Sequence, residues 1–392
     1  MDFFDVVIVG AGAAGMMCAI EAAKRGRTVL VVDHARAAGE KIRISGGGRC
    51  NFTNIHASPK NFLSRNPHFC ISALKRYTQH DFLALVKSHG IAFHEKTLGQ
   101  LFCDGSATQI IALLLGEMKR HGAQLRLNMR VEKIEKAGDR FVVALADGPV
   151  GCASLVVASG GKSIPKMGAS GFGYEVAAQF GVGVVETRPA LVPLTFEPNT
   201  LERLKPLAGV AVDAQVSCNK TRFEEAMLFT HRGISGPSIL QISSYWREGD
   251  EIGIAMAPGA DVFEALRDAR ARNGKQAVQT VLAAFLPKKL AQTIAEQSGA
   301  LKNLADMPDK ELRRIEVAVN GWRIKPSGSE GYRTAEVTLG GVDTRELDSR
   351  TMAARSVSGL YFIGEVVDVT GWLGGYNFQW AWSSGWCAGQ AV

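Results

Sequence analysis

The sequence predicts an α/β protein whose first domain is a doubly wound, mostly parallel sheet. Asp5–Val9 is a short apolar run that ends at a glycine, as expected of a buried parallel strand. The Ala-rich stretch Ala13–Lys24 predicts a helix, and Thr28–Val32 predicts a second buried strand. Two later apolar runs, Leu155–Ala158 and Gly359–Gly364, predict further strands of the same kind. A strand–turn–helix–strand unit like this one opens doubly wound folds.

The middle of the chain has a different pattern, which predicts a second domain. Residues 191–258 are short strand-like pieces separated by turns, and residues 322–338 return to strand character. Between them, residues 261–318 are charged, rich in Ala and Leu, and patterned as helices. We therefore expect a β module that carries a helical bundle. The chain leaves the first domain near residue 190 and returns to it near residue 340.

A glycine pattern lies between the first strand and the first helix. Gly10, Gly12 and Gly15 form GxGxxG, in which the first glycine permits a tight turn. The second removes a Cβ that would keep a pyrophosphate from the backbone, and the third lets helix and strand pack closely. Asp33 ends the second strand 21 residues after Gly12, where its carboxylate can accept ribose hydroxyls. The pattern predicts dinucleotide binding; the alternative is a glycine turn with a structural role only.

The fingerprint alone does not distinguish FAD from NAD. It occurs once, so a second, NAD-binding fold is not indicated. Ser159-Gly160-Gly161 and Gly364-Glu365 each follow a predicted strand. Both spacings suit a flavin that lies across the carboxyl edge of the sheet.

The net charge of +7 lies almost entirely in the first quarter of the chain, where residues 1–100 hold 13 basic and 7 acidic side chains. Such an excess is typical of a nucleic-acid or membrane surface, or of the site of one phosphate-bearing cofactor. Six residues near the fingerprint equal the excess: Lys24, Arg25, Arg27, Lys41, Arg43 and Arg49. The imbalance therefore requires no nucleic acid, although four further cations leave room for one: Lys60, Arg65, Lys75 and Arg76.

Cysteine usage and hydropathy predict a cytoplasmic protein with no membrane partner. The seven cysteines form an odd count without a CxxC pair, so neither a zinc site nor a redox pair is indicated, and we expect no metal. No run of about 18 uncharged apolar residues suggests a spanning helix. Asp2 and Asp5 stand where a signal peptide would have basic residues.

Five segments beyond the fingerprint carry a family resemblance. They are GEK at 39–41, SGGGRCNFTN at 45–54, FTHRGISGP at 229–237, GYRTAEVTLGGV at 331–342 and GEVVDVTGWLGGYNFQ at 364–379. On these segments the chain resembles the HI0933-like (BaiN/YhiN) group of FAD-dependent flavoproteins. The resemblance covers essentially the whole chain, and the SGGGRCNFTN run is highly specific.

The resemblance implies bound FAD and a Rossmann-like FAD-binding domain with an inserted β-barrel that itself carries a helical bundle. The corresponding boundaries are 1–190 and 340–392 for the FAD-binding domain, 191–260 and 321–339 for the barrel, and 261–320 for the bundle. Members of the group are linked to reduction of activated C=C bonds in steroid-like acids, to amine oxidation, and to uridine reduction in ribosomal RNA.

The segment Glu40–Asn54 has too many glycines for a regular element and predicts a long functional loop. It combines Lys41, Arg49 and Ser45 with three glycines, so it can bring N–H groups and cations to a phosphate or to the isoalloxazine edge. The alternative is a solvated basic loop, which the glycine run and its flanking asparagines disfavour.

The last helix begins at Gly374-Gly375-Tyr376-Asn377, and its N–H groups are expected to face the N1/O2 side of a flavin. The alternative is a plain helix start. Glu365 and Asp368 can bind ribityl or ribose hydroxyls, or can cap a helix. Four tryptophans, at positions 372, 380, 382 and 386, can wall a flavin, although core packing is the commoner role. The full predicted cofactor-binding set is Gly10, Gly12, Ala13, Ala14, Gly15, Asp33, Lys41, Ser45, Gly46, Gly47, Arg49, Cys50, Asn51, Val131, Ser159, Gly160, Gly161, Gly364, Glu365, Asp368, Gly374, Gly375, Tyr376 and Asn377.

The candidate catalytic residues are His231, Arg232, Tyr332 and Arg333. His231 beside Arg232 is the best proton donor because a pKa in the neutral range suits that role, although a lone histidine is usually structural. Tyr332 and Arg333 are candidates for substrate contact. Cys50 and Cys103 can act as nucleophile or acid toward an enone or uracil ring, but buried inert thiols are the favoured interpretation.

The main hypothesis is an FAD-dependent oxidoreductase, reduced by NAD(P)H or another donor, that passes hydride to an activated C=C bond. The acceptor is a small unsaturated molecule or a uracil ring in ribosomal RNA. One alternative is a flavin amine oxidase that reduces O₂. Another is a non-catalytic flavin-binding partner of RNA or protein. The oligomeric state stays open.

Overall fold

The computed structural model describes residues 1–300 and 302–392; residue 301, within the predicted helical stretch, lies outside the described residues. Internal contacts divide the chain into two units. The first comprises Met1–Arg188 and Val337–Val392, and the second comprises Pro189–Glu336. The strand Val337–Val342 belongs to the first unit, so the predicted return at residue 340 falls inside that strand.

Residues 1–190 contain both helices and strands. In chain order they are β1 (Asp2–Val9), α1 (Ala13–Lys24), β2 (Val29–Val32), α2 (Glu40–Gly48), β3 (Asn51–Asn54), β4 (Phe62–Leu63), α3 (Cys70–Arg76), α4 (Gln79–Ser88), β5 (Phe93–Glu95), β6 (Gln100–Cys103), α5 (Thr108–Arg120), β7 (Gln124–Arg126), β8 (Val131–Ala137), β9 (Arg140–Leu145), β10 (Gly148–Val157), α6 (Phe172–Gln179) and β11 (Val184–Ala190).

The second unit and the returning segment complete the chain. The second unit holds β12 (Leu194–Thr195), α7 (Pro198–Leu204), β13 (Ala211–Cys218), β14 (Thr221–Phe229), β15 (Gly233–Ser235), α8 (Pro237–Ser243), β16 (Ile252–Ala255), α9 (Val262–Arg272), α10 (Val278–Leu282), α11 (Lys288–Gln297), α12 (Asp309–Asn320), β17 (Trp322–Ile324) and β18 (Gly328–Ser329). The returning segment holds β19 (Val337–Val342), β20 (Leu360–Phe362), β21 (Thr370–Gly371) and α13 (Tyr376–Gly389).

A mixed sheet forms the centre of the first unit, in the order β7-β2-β1-β10-β9-β8, with β20 also paired to β10. The pairings β7/β2, β2/β1, β1/β10 and β10/β20 are parallel, whereas β8, β9 and β10 form an antiparallel meander. The parallel strands are apolar without alternation because both faces of the sheet are covered. This is a Rossmann-type α/β fold, so the predicted α/β class and mostly parallel first-domain sheet are confirmed, and a turn at residues 138–139 joins β8 to β9.

The strand order places the predicted ligand residues on one edge. The chain leaves β1 toward β2 on one side, and β10 lies on the other side, which makes the end of β1 a topological switch point. Val9 pairs with both Val32 and Val157, and Val157 pairs with Phe362. The residues that follow these four positions therefore meet at the carboxyl edge of the sheet.

Helices α1 and α13 pack directly on each other. A Cβ at Gly385 would lie 2.5 Å from the carbonyl oxygen of Ala14, and one at Gly389 would lie 2.8 Å from that of Cys18. Because the contact advances by four residues in the same sense on both helices, they run parallel. Two glycines one turn apart on α13 thus permit a backbone-to-backbone approach that side chains would prevent.

The remaining sheets are small or belong to the second unit. In the first unit, β3-β6-β5 form one antiparallel sheet, while β21-β4 and β11-β19 form pairs. In the second unit the strands are ordered β17-β16-β13-β14-β15-β12-β18. Within the described residues, no helix is both long enough and apolar enough to span a bilayer.

Residues 69–89 form two helices, because Thr78 begins a new helix by accepting a hydrogen bond from the N–H of Asp81. One sequence expectation needs correction. The segment 40–54 is not one loop. It contains the helix α2, which is interrupted by non-helical backbone at Ser45–Gly47, and then the strand β3.

Candidate functional site

The three fingerprint positions require glycine for different structural reasons. A Cβ at Gly10 would lie 2.4 Å from the carbonyl oxygen of Ala158, and one at Gly15 would lie 1.9 Å from that of Gly10. Both positions therefore exclude side chains because the fold itself is too tight there. Gly12 is different, since no described atom lies within 4 Å of a Cβ built on it. Its lack of a side chain leaves open space at the start of α1, which is where a pyrophosphate would lie.

Asp33 holds the fingerprint turn in place. Its carboxylate accepts the N–H of Ala11 at 2.7 Å and the N–H of Ala35 at 2.8 Å. The N–H of Met129 donates to the Asp33 carbonyl oxygen at 2.8 Å, which brings the segment before Val131 to the same strand end. Asp33 thus fixes the backbone beside Gly12, and it keeps acceptor capacity for a ribose hydroxyl.

The start of α13 lies well beyond the start of α1. Both helices begin at a glycine, Gly12 and Gly375, and neither has a side-chain cap. Gly385 lies level with Ala14, so nine residues of α13 precede the contact but only one residue of α1 does. The N-terminus of α13 therefore projects about eight residues, or ~12 Å, beyond the N-terminus of α1. Two helix N-termini, each with a positive dipole end and no side-chain cap, are therefore offset from each other along parallel helix axes.

The glycine-rich segment 45–51 contacts the start of α13. Gly46 and Gly47 have φ of +57° and +66°, and Cys50 has φ of +52°, so this turn uses left-handed backbone. A Cβ at Gly375 would lie 2.5 Å from the carbonyl carbon of Thr53 and 2.8 Å from Oδ1 of Asn51. Nδ2 of Asn54 donates to the Gly374 carbonyl oxygen at 3.0 Å. The structure thus brings together two predicted groups of cofactor residues that lie more than 300 positions apart in the sequence.

A partly buried polar network joins Lys41 to Glu365. The Lys41 ammonium lies 2.7 Å from Oε2 of Glu365 and 2.6 Å from Oγ of Ser163. The other Glu365 oxygen accepts from Ser163 Oγ and from the N–H of Thr338, each at 3.0 Å. The Glu365 carboxylate therefore neutralises Lys41. The two side chains form a hydrogen-bonded ion pair at this edge of the sheet, and Lys41 is not a free cation. No motif marks Ser163, and Thr338 lies in the segment 331–342 but was given no role by the sequence analysis.

Asp368 accepts a hydrogen bond from the backbone of a neighbouring loop. Its side chain is buried, and Oδ2 accepts the N–H of Arg65 at 2.8 Å. Burial raises the pKa of this carboxyl above its usual range. The carboxylate anchors the chain at residues 64–65, a role closer to the predicted capping alternative than to binding a ribityl hydroxyl.

The C-terminal residues form the core rather than an open wall. Trp382 stacks on Phe82 with ring centroids 4.2 Å apart, and its Nε1 donates to the Phe52 carbonyl oxygen. Trp380 is also buried and donates to the Gly364 carbonyl oxygen. The Asn377 side chain both accepts from and donates to the Gly371 backbone, at 2.8 and 2.9 Å. These residues position the turn before α13.

The predicted catalytic residues lie in the second unit and are not adjacent there. Strand β12 pairs with β15 on one side and β18 on the other. The N–H of Phe196 donates to the Arg232 carbonyl oxygen, whereas the N–H of Glu330 donates to that of Pro193. His231 and Arg232 therefore lie at one end of this ladder, and Tyr332 and Arg333 leave from the other. His231 is exposed, and Tyr332 is half-buried.

The two candidate thiols are fully buried. Burial raises the pKa of Cys50 to about 12 and that of Cys103 to about 11. A thiol with so high a pKa is protonated at neutral pH and is a poor nucleophile, which favours the inert interpretation. Across the described residues, no group of three or more His, Cys, Asp or Glu side chains is placed to hold a metal ion.

Comparisons with known proteins agree with this geometry. The family model described as HI0933-like protein Rossmann domain matches residues 4–391. The chain is 52% identical to a ribosomal RNA dihydrouridine synthase of Escherichia coli over 100% of this chain and 98% of that protein. It is 30% identical to a 3-dehydro-bile acid delta(4,6)-reductase of Clostridium scindens over 98% of each chain.

A solved structure has a similar fold. The 3-ketosteroid-delta4-(5alpha)-dehydrogenase of Rhodococcus jostii superimposes with a TM-score of 0.51 at 15% identity, covering 99% of this chain and 97% of that one. At this identity the likeness concerns the fold alone.

Proposed function

The chain belongs to the HI0933-like family, and on this premise we propose that it is an FAD-dependent oxidoreductase that reduces a uracil ring in ribosomal RNA to dihydrouridine. Membership confirms the resemblance that the sequence motifs predicted. The reduction adds one hydride and one proton across the C5=C6 bond. Bound FAD supplies the two-electron chemistry, and reduced nicotinamide nucleotide is the proposed donor.

The pair of staggered helix ends is the observation that carries the assignment of FAD. A dinucleotide with a flavin needs an anion site for its pyrophosphate and a second site for the negative charge that develops near N1 and O2. The open space at Gly12 suits the first, and the uncapped start of α13 at Gly375 suits the second. Their offset of about 12 Å along parallel axes separates the two functions on one edge.

The chain's own residues would orient and enclose the cofactor. Asp33 fixes the turn at Gly12 and can accept a ribose hydroxyl. Gly160 leaves open space after β10, since no described atom lies within 4 Å of a Cβ built on it. The Lys41–Glu365 pair, held by Ser163, links α2 to the turn that follows β20. The rest of the predicted cofactor-binding set stays a proposal on the same basis.

The proton donor is proposed from the second unit. His231 is exposed and stays the first candidate, with Arg232 beside it for orientation. Tyr332 and Arg333 leave the opposite end of the β12 ladder, so we propose that one pair, not both, contacts the ring that is reduced. Cys50 and Cys103 are disfavoured as acids because their pKa values of about 12 and 11 are too high.

The RNA substrate is proposed from the relative that is 52% identical over the whole chain and is named a ribosomal RNA dihydrouridine synthase. A second candidate is a small molecule with an activated C=C bond, which the bile acid reductase at 30% identity favours. An rRNA substrate would place the protein in the cytoplasm, as its cysteine usage predicts. Amine oxidation and a purely non-catalytic role are supported by no contact described above.

The second unit is proposed to be the barrel with its inserted bundle. Its strands form one continuous order from β17 to β18, and β16 pairs directly with β17. The helices α9, α10, α11 and α12 lie in the chain between those two neighbouring strands. A helical insertion between paired strands is what the proposed architecture requires.

The decisive experiment compares ribosomal RNA from cells with and without this chain by mass spectrometry of nucleosides. The proposal predicts dihydrouridine in the first sample and its loss in the second, with restoration by the intact gene and not by Gly12→Val. Unchanged dihydrouridine together with an altered unsaturated metabolite would transfer the function to the second candidate. Peroxide formation with an amine, without bleaching by NADH or NADPH under anaerobic conditions, would favour the oxidase.

A further inference from the structure

We propose that a basic cleft in the first unit binds the phosphate backbone of the RNA substrate; this inference rests on the proposed function and deepens it. The cleft has a volume of about 410 Å³. It is lined by Asn66, His68, Phe69, Thr344, Arg345, Leu347, Ser349 and Arg355. None of these residues belongs to the fingerprint or to the glycine-rich segment.

The charge of the two cleft segments favours an anion. Residues 60–76 contain four Lys or Arg residues and no Asp or Glu, and residues 343–355 contain three Arg residues and three acidic residues. The sum is +4 without His68. Of the three acids, Asp343 is buried and paired with Arg345 through Oδ2 and Nη2 at 2.6 Å. Of the cations in the two segments, only Arg345 and Arg355 line the cleft itself, and the four cations of residues 60–76 lie on its flanking segment.

Arg345 and Arg355 both keep N–H donors that have no partner among the described residues. Nε of Arg355 donates to the Leu347 carbonyl oxygen at 3.1 Å, which holds the side chain against the cleft. Its two terminal nitrogens have no partner among the described residues, and the side chain is exposed. Arg345 is 63% exposed although it is paired with Asp343. Fixed guanidinium groups with free N–H donors suit the oxygens of a phosphodiester.

A buried hydroxyl gives independent support. Thr344 lines the cleft, and only 1% of its surface is exposed. Its Oγ1 has no hydrogen-bond partner among the described residues. Because an unpaired buried hydroxyl costs free energy, a phosphate oxygen at this position would satisfy it.

The cleft is tied to the proposed flavin segment by the backbone. Asp368 accepts the N–H of Arg65, and the N–H of Trp372 donates to the Asn61 carbonyl oxygen at 3.0 Å. Strand β21 pairs with β4 on the same stretch. The segment that leads into Gly374-Gly375 therefore also supports the wall of the cleft. RNA held there would be anchored next to the segment proposed to bind the ring system.

NADPH also carries phosphate groups, so the cleft could take either NADPH or RNA, and experiment can distinguish the two. An RNA backbone is favoured because three more exposed cations, Lys75, Arg76 and Arg350, belong to the same two segments but lie outside the cleft lining. Nη1 of Arg76 donates to the Arg350 carbonyl oxygen, which joins the end of α3 to residues 344–355. Cations outside the cleft lining suit an extended strand with several phosphates better than a single phosphate group.

The test uses FAD-loaded enzyme with the variants Arg355→Gln and Thr344→Val and with Arg314→Gln as a matched control. Arg314 is exposed on α12 and has the same charge change. The probes are a fluorescein-labelled oligouridylate of about 20 nucleotides and, separately, NADPH. Binding of the oligomer is measured by anisotropy between about 50 and 200 mM salt, and flavin bleaching by NADPH is measured anaerobically.

We expect Arg355→Gln to weaken oligomer binding about fivefold and to lower the salt slope by about 0.7, the value for one phosphate contact in a single strand. Thr344→Val should weaken binding about threefold at unchanged slope because it removes a neutral donor. Arg314→Gln and the bleaching rates should stay at the wild-type values.

Raised NADPH requirements with unchanged oligomer binding would overturn the RNA assignment in favour of a nucleotide site. Equal effects of Arg355→Gln and Arg314→Gln would show that only net charge matters and would also overturn it. Failure of the proposed function has a different signature, since the wild-type chain would then produce no dihydrouridine in ribosomal RNA whatever the oligomer affinities.

Discussion

The starts of α1 and α13 are both glycine-rich and both uncapped, yet their glycines serve opposite purposes. At α1, Gly12 faces open space. At α13, Gly375 has φ of +94° and is pressed against the carbonyl of Thr53. Gly12 therefore leaves room for a ligand, whereas Gly375 makes room for the neighbouring backbone of β3, so the anion site proposed at α13 depends on its N–H groups and not on space at the glycine. The comparison shows that glycine at a helix start is not by itself a sign of binding.

Gly375→Val gives the largest expected effect, because it tests packing and backbone at once. A β-branched residue at this φ is strained, and its Cβ would overlap the Thr53 carbonyl. We expect a loss of about 3 kcal/mol or more in the free energy of unfolding, together with loss of FAD. Urea unfolding measures the first, and the flavin absorbance of purified protein measures the second.

Gly26→Val is the control for that loss. Gly26 has φ of +78° with no described atom within 4 Å of its Cβ, so the substitution adds strain without overlap. Equal destabilisation by the two variants would show that the contact of Gly375 with β3 contributes nothing.

Gly12→Val should separate ligand binding from folding. Gly12 has φ of −86° and ψ of −171°, a conformation that valine adopts readily. We expect the apoprotein to unfold within about 1 kcal/mol of wild type. The affinity for FAD should fall about a hundredfold or more, which is about 3 kcal/mol. Calorimetric titration of apoprotein with FAD measures the affinity.

Gly116→Val is matched to it, since Gly116 also leaves space for a Cβ but is an exposed residue of α5, away from the fingerprint in sequence. It should bind FAD as the wild type does. Full FAD retention by Gly12→Val would contradict the assignment of the fingerprint.

Asp33→Asn tests whether Asp33 holds the turn at the start of α1. Asp33 accepts two backbone N–H groups with its two oxygens, and an amide offers one oxygen and turns an NH₂ group toward the other donor. The expected cost is about 2 kcal/mol in the free energy of unfolding, with about tenfold weaker FAD binding because the turn at Gly12 loosens. Thermal unfolding with and without FAD measures both. Asp139→Asn, in the exposed 138–139 turn, is the control, and an equal cost there would remove the anchoring role from Asp33.

The contrast between the two helix ends also explains what the sequence could predict. The α1 end is local: strand, glycines, helix and Asp33 lie within residues 5–33 and have a spacing that depends on known geometry. The α13 end depends on partners far along the chain, as when Thr53 Oγ1 donates to Gln379 Oε1 at 2.7 Å. Ser163 and Thr338 meet Glu365 in the same non-local way. Spacing has no information about such contacts, so the two ends looked alike in sequence and differ in structure.

Asn377→Asp gives the smallest expected effect, and its sign depends on pH. The Asn377 amide donates to the carbonyl oxygens of Gly371 and Trp372, at 2.9 and 3.3 Å, so a carboxylate there would face two acceptors. The charged form is thus disfavoured in the folded state, and the pKa of the new carboxyl should be raised by folding. A group with a raised folded pKa contributes stability at low pH that is lost as pH rises. We therefore expect a deficit of about 1 kcal/mol near pH 8 that shrinks toward pH 5, measured by urea unfolding against Asn303→Asp, an exposed position before a short helix that should show no such trend. A deficit that does not change with pH would mean that the Asn377 donors do not hold the turn before α13, and that packing around Gly375 alone defines this end of the site.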